Sequence, residues 1–505
     1  MKHTYLYRAL LVLGLMSLST GCQHLDLSPD AAHNIEINSE DKIAELLTAA
    51  YPDASYFAFL ETRTDNVGER PHGTHYRLDE AMYYWEDYDQ EDLDTPLSYW
   101  RACYKGIAQV NKALELLKTY PKTDRVRALY GEAFMLRAYL HFMLVTIWCE
   151  PYRGEATESL GIPYLRTPEK HALVDYERGT VAEVYRQIEE DLRLGISLVD
   201  DRYYRVPRFH FTKRAAYAFA SRFYLHKGDW QAVVDYSDYV LGYNPSQYLR
   251  VWKRGDLGQT IDKASLYQSY LAEDSRSNLL LTTTESRLAR ELPHKRFAPT
   301  LKVAKEVFSS HGIEGYEAYK TINLLSNYYF LTSPAPVKDG YYIAKFDERA
   351  LLLDNTSLRP RDLYVTNVLL TTDEVMLNRM EALAMLGEYD RSIEDLIVYL
   401  RAKYDVELPH DKEQILSTTG ADYTRYTPYY GLTMRQLAMV KIVLGLRRME
   451  FYEEGLRWLD IKRFYLPVTR EGKNALYRPL EKEDPRKLLQ IPAEAIKRGL
   501  TPNPR

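Results

Sequence analysis

The chain is poor in cysteine. Three of its 505 residues are Cys, at 22, 103 and 149, too few for the disulfide framework of a small exported domain. No Cys-x-x-Cys pair offers zinc-ligand spacing. Charge of one sign is also lacking: 66 Lys and Arg stand against 71 Asp and Glu, a net of −5. That balance argues against nucleic acid as a partner. No stretch approaches the roughly 20 apolar residues of a membrane-spanning helix. GxSxG, HExxH, phosphate-loop and dinucleotide fingerprints are all missing. No two carboxylates are set across a cleft in sequence terms, as a glycosidase needs. The chain is therefore read as a non-enzyme without cofactor. The acidic run Asp87 to Asp94 is not an EF-hand, because Asp92 and Ser98 fill the places that require Gly and Glu. It reads as a solvated loop with Asp94 or Thr95 near a helix N-cap. His72 and His75 read as a surface turn, and no metal site is expected.

The N-terminus is built like a secretory signal. Lys2 and Arg8 precede an uncharged, mostly apolar run, Ala9–Leu18, and Ser19-Thr20-Gly21 lead directly to Cys22. That run makes only about 15 Å of helix, half of a bilayer's hydrocarbon core of about 30 Å. Residues 1–21 are expected to be removed and Cys22 to carry lipid, although Ser19 stands where a lipobox usually has Leu. Removal takes away Lys2 and Arg8 and leaves a charge of −7. A lipidated terminus ties a body to a membrane surface without spanning it.

Tyrosine is the abundant residue, 44 against 14 Phe and 6 Trp. A flat face with a polar tip suits sugars, peptides and protein interfaces, as well as helix–helix grooves. Helical periods dominate. Trp100, Cys103, Ile107, Val110, Leu114 and Leu117 mark a helix over 98–119. Val126 to Ile147 mark a second over 124–148, apolar on most of its circumference and so buried. With these two antiparallel about Pro121, Cys103 and Cys149 lie too far apart to bridge, and two free buried thiols are expected. Another helix follows from Val181 to Val199. A tight pair, 212–228 and 229–242, turns at Gly228 with Asp229 as cap, and a similar pair at 372–402 turns at Gly387. Such pairs look like tetratricopeptide repeats, and 98–148 and 433–464 would complete about four. Between them, 246–370 has a poor period apart from a helix near 301–310, and long excursions of this kind tend to carry function.

Taken in order, these segments resemble the SusD/RagB family of outer-membrane lipoproteins of Bacteroidetes. The likeness is carried by Cys22 with Leu25-Asp26-Leu27 and Pro29, by SYWRACYKGIAQVNKALELL (98–117), and by EAFMLRAYLHFMLVTIWCEPY followed by Gly161-Ile162-Pro163. It continues through RFHFTKRAAYAFASRFYLHKGDW, RRMEFYEEGLRWLDIKRF (447–464), LLQIPAEAI (488–496) and Asn503-Pro504. The resemblance implies an all-α fold, a superhelical scaffold of about four tetratricopeptide-like repeats with a long, loop-rich insertion. The chain is then divided into a signal (1–21), an N-terminal helical region (22–245), an insertion on the ligand side (246–370) and a C-terminal region (371–505). It also implies oligosaccharide capture at the outer face of the outer membrane. The ligand would be delivered to a SusC-like TonB-dependent barrel, over which the lipoprotein sits as a lid. A peptide-binding member, or a protein-only scaffold, is the alternative. The family's site draws on the segment before the first long helix and on the insertion. Here these hold Arg77, Tyr83, Tyr84, Trp85, Asp87 and Tyr88, and Tyr316, Tyr328, Tyr329, Tyr341 and Tyr342. For each single aromatic, burial under the loops is the commoner role. Arg447, Arg448, Glu450, Trp458, Asp460 and Arg463 are read as buried ion pairs around a Trp rather than as a catalytic group.

Overall fold

The structure is a computed structural model that describes residues 37–156, 158–168, 176–251, 263–272, 275–308, 330–332, 340–350, 363–404, 415–416, 425–470 and 479–505. Cys22 and the signal lie outside the described residues, as do Tyr316, Tyr328 and Tyr329. The chain divides into two compact units, 1–43 and 44–505. In the first, residues 40–43 are helical. The second carries everything that follows.

Two short helices, α1 (Phe57–Arg63) and α2 (Arg77–Tyr83), precede the first long one, α3 (Pro96–Leu117). Thr95 opens α3 with a capping box: its hydroxyl accepts from the Ser98 N–H, and the Ser98 hydroxyl accepts from the Thr95 N–H. Next comes α4 (Asp124–Trp148), capped by Thr123 and buried at nearly every position beyond Val126, as its all-round apolar pattern requires. It packs on α3 and, more extensively, on α5 (Val181–Leu198). Cys103 and Cys149 are both free and buried.

The tight pair forms as read. α6 (Lys213–Lys227) ends at Gly228 in the left-handed region (φ +80°), and α7 (Trp230–Leu241) begins under Asp229, whose carboxylate accepts from the Ala232 N–H. After a short helix in the insertion, α8 (Leu301–Phe308), the second pair follows the same plan. α9 (Thr372–Met385) turns at Gly387 (φ +79°) into α10 (Tyr389–Tyr404). Next come α11 (Met434–Glu450) and α12 (Leu456–Arg463), and a one-turn helix, Ala493–Lys497, lies in the tail. α11 and α12 touch each other only lightly. α11 packs on α9, and α12 packs on α1 from the other end of the chain. The expected fourth pair is thus opened, because the Phe451–Gly455 turn directs α12 toward the N-terminal segment.

Among its described residues the loop-rich insertion carries strands that its poor period does not announce. Strands β1 (Gly68–Glu69), β2 (Asn278–Glu285), β3 (Phe297–Ala298), β4 (Phe330–Thr332), β5 (Tyr341–Ile343), β6 (Glu348–Ala350) and β7 (Leu363–Thr371) form three small antiparallel sheets, ordered β1-β3, β2-β7-β6 and β4-β5. β2 and β7 are buried along most of both faces, so they lack the alternation that marks a half-exposed strand. β7 runs without a break into α9, where Thr371 caps the helix. Arg222 of α6 ties them together: its guanidinium donates to Glu374 (2.6 Å) and to the Leu369 carbonyl (2.7 Å).

Candidate functional site

A cleft of about 720 Å³ opens where the segment before α3 meets the insertion. Backbone pairing builds its wall: Gly68 is registered with Ala298 and Glu69 with Phe297. Glycine is required at 68, since a Cβ there would lie 2.9 Å from Thr300 Cγ2. The wall carries Glu69, which accepts from Arg296 Nε (2.9 Å). The opposite side carries Asp65, Thr469 and Arg470, and α8 contributes Lys302 and Glu306.

The floor is aromatic. Tyr83, at the end of α2, stacks on Phe297 (centroids 4.6 Å apart), and Tyr84 meets Tyr83 edge-on at 5.0 Å. Val67, Tyr83, Tyr84 and Phe297 form one buried cluster. On its other side the Arg470 guanidinium sits 4.1 Å above the Tyr83 ring and 4.9 Å from Trp85. Three carbonyls fix it there: those of Tyr83 (3.2 Å), Val67 (2.7 Å) and Thr62 (2.9 Å). Trp85 is held in the left-handed region (φ +58°), its indole N–H donating to the Arg63 carbonyl at 3.0 Å. Arg63 in turn lies over Trp458 (4.7 Å). Burial pulls the Arg63 guanidinium down to about 9 and that of Arg470 to about 10. Asp65 is held well below the usual carboxylate range by Arg448 and Arg457, which overcome its burial.

The expected aromatics therefore divide. All three of Tyr83, Tyr84 and Trp85 are buried; Tyr83 borders the cleft from within the core, and Tyr84 and Trp85 sit beneath it. Arg77 and Asp87 are exposed and Tyr88 is half-buried, none lining the cleft. Asp87 pairs with Arg505 at 2.6 Å. Tyr341 begins β5, with its N–H donating to the Pro299 carbonyl, and Tyr342 is buried. The charged lining residues Asp65, Glu69, Arg296, Lys302, Glu306 and Arg470 went unread in the sequence. They come from three separate stretches, 65–69, 296–306 and 470, which only the fold brings together. A second cavity of about 370 Å³ lies between α3 and the C-terminal tail, lined by Trp100, Tyr104, Leu165 and Leu500.

The C-terminal signature is structural. Arg447 binds Asp460 (3.0 Å), and Arg463 binds Asp460 (2.9 Å) and Glu381 (2.7 Å), all buried. Among the described residues no group of three or more His, Cys, Asp or Glu is placed to hold a metal. Nor is any described helix long and apolar enough to cross a membrane.

Two family models match the chain. One, described as starch-binding associating with outer membrane, covers residues 23–225, and the other, described as the SusD family, covers 340–490. No curated protein matches. Among solved structures, a SusD superfamily protein from Bacteroides thetaiotaomicron is 19% identical, with a TM-score of 0.62 over 93% of this chain and 100% of that one. A putative sugar binding protein from Bacteroides vulgatus is 17% identical, with a TM-score of 0.67 over 93% and 99%. A SusD-like carbohydrate binding protein from the same species is 16% identical, with a TM-score of 0.59 over 86% and 85%. Motifs, fold and both model matches agree, and the chain belongs to the SusD/RagB family.

Proposed function

We propose that this protein is a lipid-anchored receptor at the outer membrane that binds oligosaccharide in the cleft beside Tyr83 and passes it to a SusC-like TonB-dependent barrel. The observation that carries the reading is the make-up of the cleft. A Tyr edge is set among carboxylates and guanidinium groups at fixed positions, which suits a ligand with many hydroxyls. The sugar-binding descriptions of the structural neighbours and the starch-binding description of the family model support the same class. Lipidation of Cys22 and the barrel partner rest on the family resemblance. Binding rather than turnover is the expected outcome: two of the three cleft carboxylates are engaged, Asp65 with two arginines and Glu69 with Arg296.

The test is a glycan and peptide binding screen of purified protein. Saturable glycan binding that is weakened by Lys302→Ala or Glu306→Ala, two exposed positions on α8, supports the reading. Peptide binding alone would replace it with the peptide-binding alternative. Trp85→Ala is a poor probe, since Trp85 is core and its loss tests folding. Metabolic labelling with palmitate, lost in Cys22→Ser, tests the anchor.

A further inference from the structure

We propose that the ligand is an acidic oligosaccharide whose sugars carry carboxylates, and that Arg470 receives one of them. This rests on the carbohydrate reading above and narrows it.

The charge of the cleft differs from that of the chain. Its lining holds three cations, Arg296, Lys302 and Arg470, and three carboxylates, Asp65, Glu69 and Glu306. Arg296 is spent on Glu69. Asp65 is claimed from behind by Arg457 (2.9 Å) and Arg448 (3.7 Å). Among the described residues the lining is balanced, three against three, in a chain whose net charge is −5, and the arginines behind Asp65 answer its charge from outside the cleft. A locally balanced spot in an acidic body repels anions less than its surroundings do.

Arg470 is the cation left over. It pairs with no carboxylate among the described residues; its contacts are three backbone carbonyls and two aromatic rings. Those carbonyls use three of the five guanidinium N–H groups and leave two. Arg470 is half-buried, and a guanidinium partly withdrawn from water without an ion pair carries a cost. Here burial does pull its pKa down, and Arg63 behind it, also without a carboxylate, adds positive charge to the same wall. The group is nevertheless locked in one orientation before any ligand arrives, so binding an anion costs little ordering. A planar fork fits a carboxylate. Exposed Glu306 and half-buried Glu69 can accept sugar hydroxyls, but they oppose a doubly charged phosphate.

The experiment is calorimetric titration of the processed full-length chain in detergent with matched glycan pairs. These are an oligogalacturonide and its methyl ester, a sialylated oligosaccharide and its desialylated form, and a sulfated glycosaminoglycan fragment and its desulfated form. The expected result is that a carboxylated member binds at least about tenfold more tightly than its neutral partner. Arg470→Gln should weaken the carboxylated member by at least about tenfold more than its neutral partner, and Arg470→Lys should keep part of the preference. If Arg470→Gln does not fold, ionic strength decides. The acidic member's affinity must fall as salt rises about tenfold, and the neutral member's must not. Equal or tighter binding of the neutral members overturns the inference and leaves the carbohydrate reading standing. Preference for the sulfated member alone overturns the carboxylate assignment. Failure to bind any glycan, with peptide binding retained, overturns the carbohydrate reading itself.

Discussion

At the scale of the single side chain, His141 shows how two fixed contacts decide a protonation state. Its Nε2 accepts from the Leu165 N–H (3.1 Å), which leaves Nδ1, 2.8 Å from the Arg137 carbonyl, as the donor. Only the neutral ring satisfies both contacts, and burial pushes its pKa down to about 3. The unfolded chain takes up the proton first, so this contribution is complete above about pH 6.5 and is lost as pH falls. Between pH 7 and 4.5 the group should cost about 2–3 kcal/mol of stability. Denaturant melts of wild type and His141→Gln at both pH values check this, and an identical slope in the variant would refute it. Gly455 makes a steric case. It sits at φ +75°, and a Cβ would lie 2.8 Å from Leu60 Cβ. Gly455→Ala should cost about 2–4 kcal/mol, read as a lowered Tm.

At the scale of elements, buried ion pairs decide how the repeats lock. Asp460 on α12 neutralises Arg447 of α11 and Arg463 of its own helix, all three buried. Asp460→Ala leaves two guanidinium groups short of a partner and should cost about 3–5 kcal/mol. Removing the exposed Lys105–Asp53 pair should change stability by less than about 1 kcal/mol. Comparable losses in the two variants would refute the distinction. The caps act at the same scale. Thr95, Thr123, Thr180, Thr212, Thr371 and Thr433 each accept from a first-turn N–H, which is why helix starts were readable within a residue or two.

Across the large unit, the C-terminal segment is tied to the end of α4. Asn503 donates to the carbonyls of Trp148 (2.7 Å) and Leu489 (2.8 Å), the Trp148 indole donates to the Gln490 carbonyl, and Lys462 donates to three carbonyls around the end of α4. Asn503→Ala should therefore lower stability by about 1–3 kcal/mol through two orphaned buried carbonyls. The thiols report on the whole chain as well. Cys103 and Cys149 are buried and free, and burial raises both. Native protein should give no reaction with a thiol reagent. Denatured protein should give two thiols if Cys22 carries lipid and three if it does not.

The sequence by itself determined the helices, their caps, the paired turns at Gly228 and Gly387, and the family. Periodicity, left-handed glycines and capping hydroxyls act over a few residues, so they are written locally. The family resemblance pointed to the segment before α3 and to the insertion as the ligand side, and the cleft proposed as the binding site is lined from both. Tertiary structure alone decided which residues face that cleft. Trp85 looked like a sugar platform and is a core wedge under Arg470, because its exposure depends on Arg63 and Arg470, which lie 22 residues before it and 385 after it. β2 and β7 escaped notice because strands buried on both faces lose their alternation. Arg470 was invisible because the groups that hold it, the rings of Tyr83 and Trp85 and the carbonyls of Thr62, Val67 and Tyr83, lie far from it along the chain and reach it only in the fold.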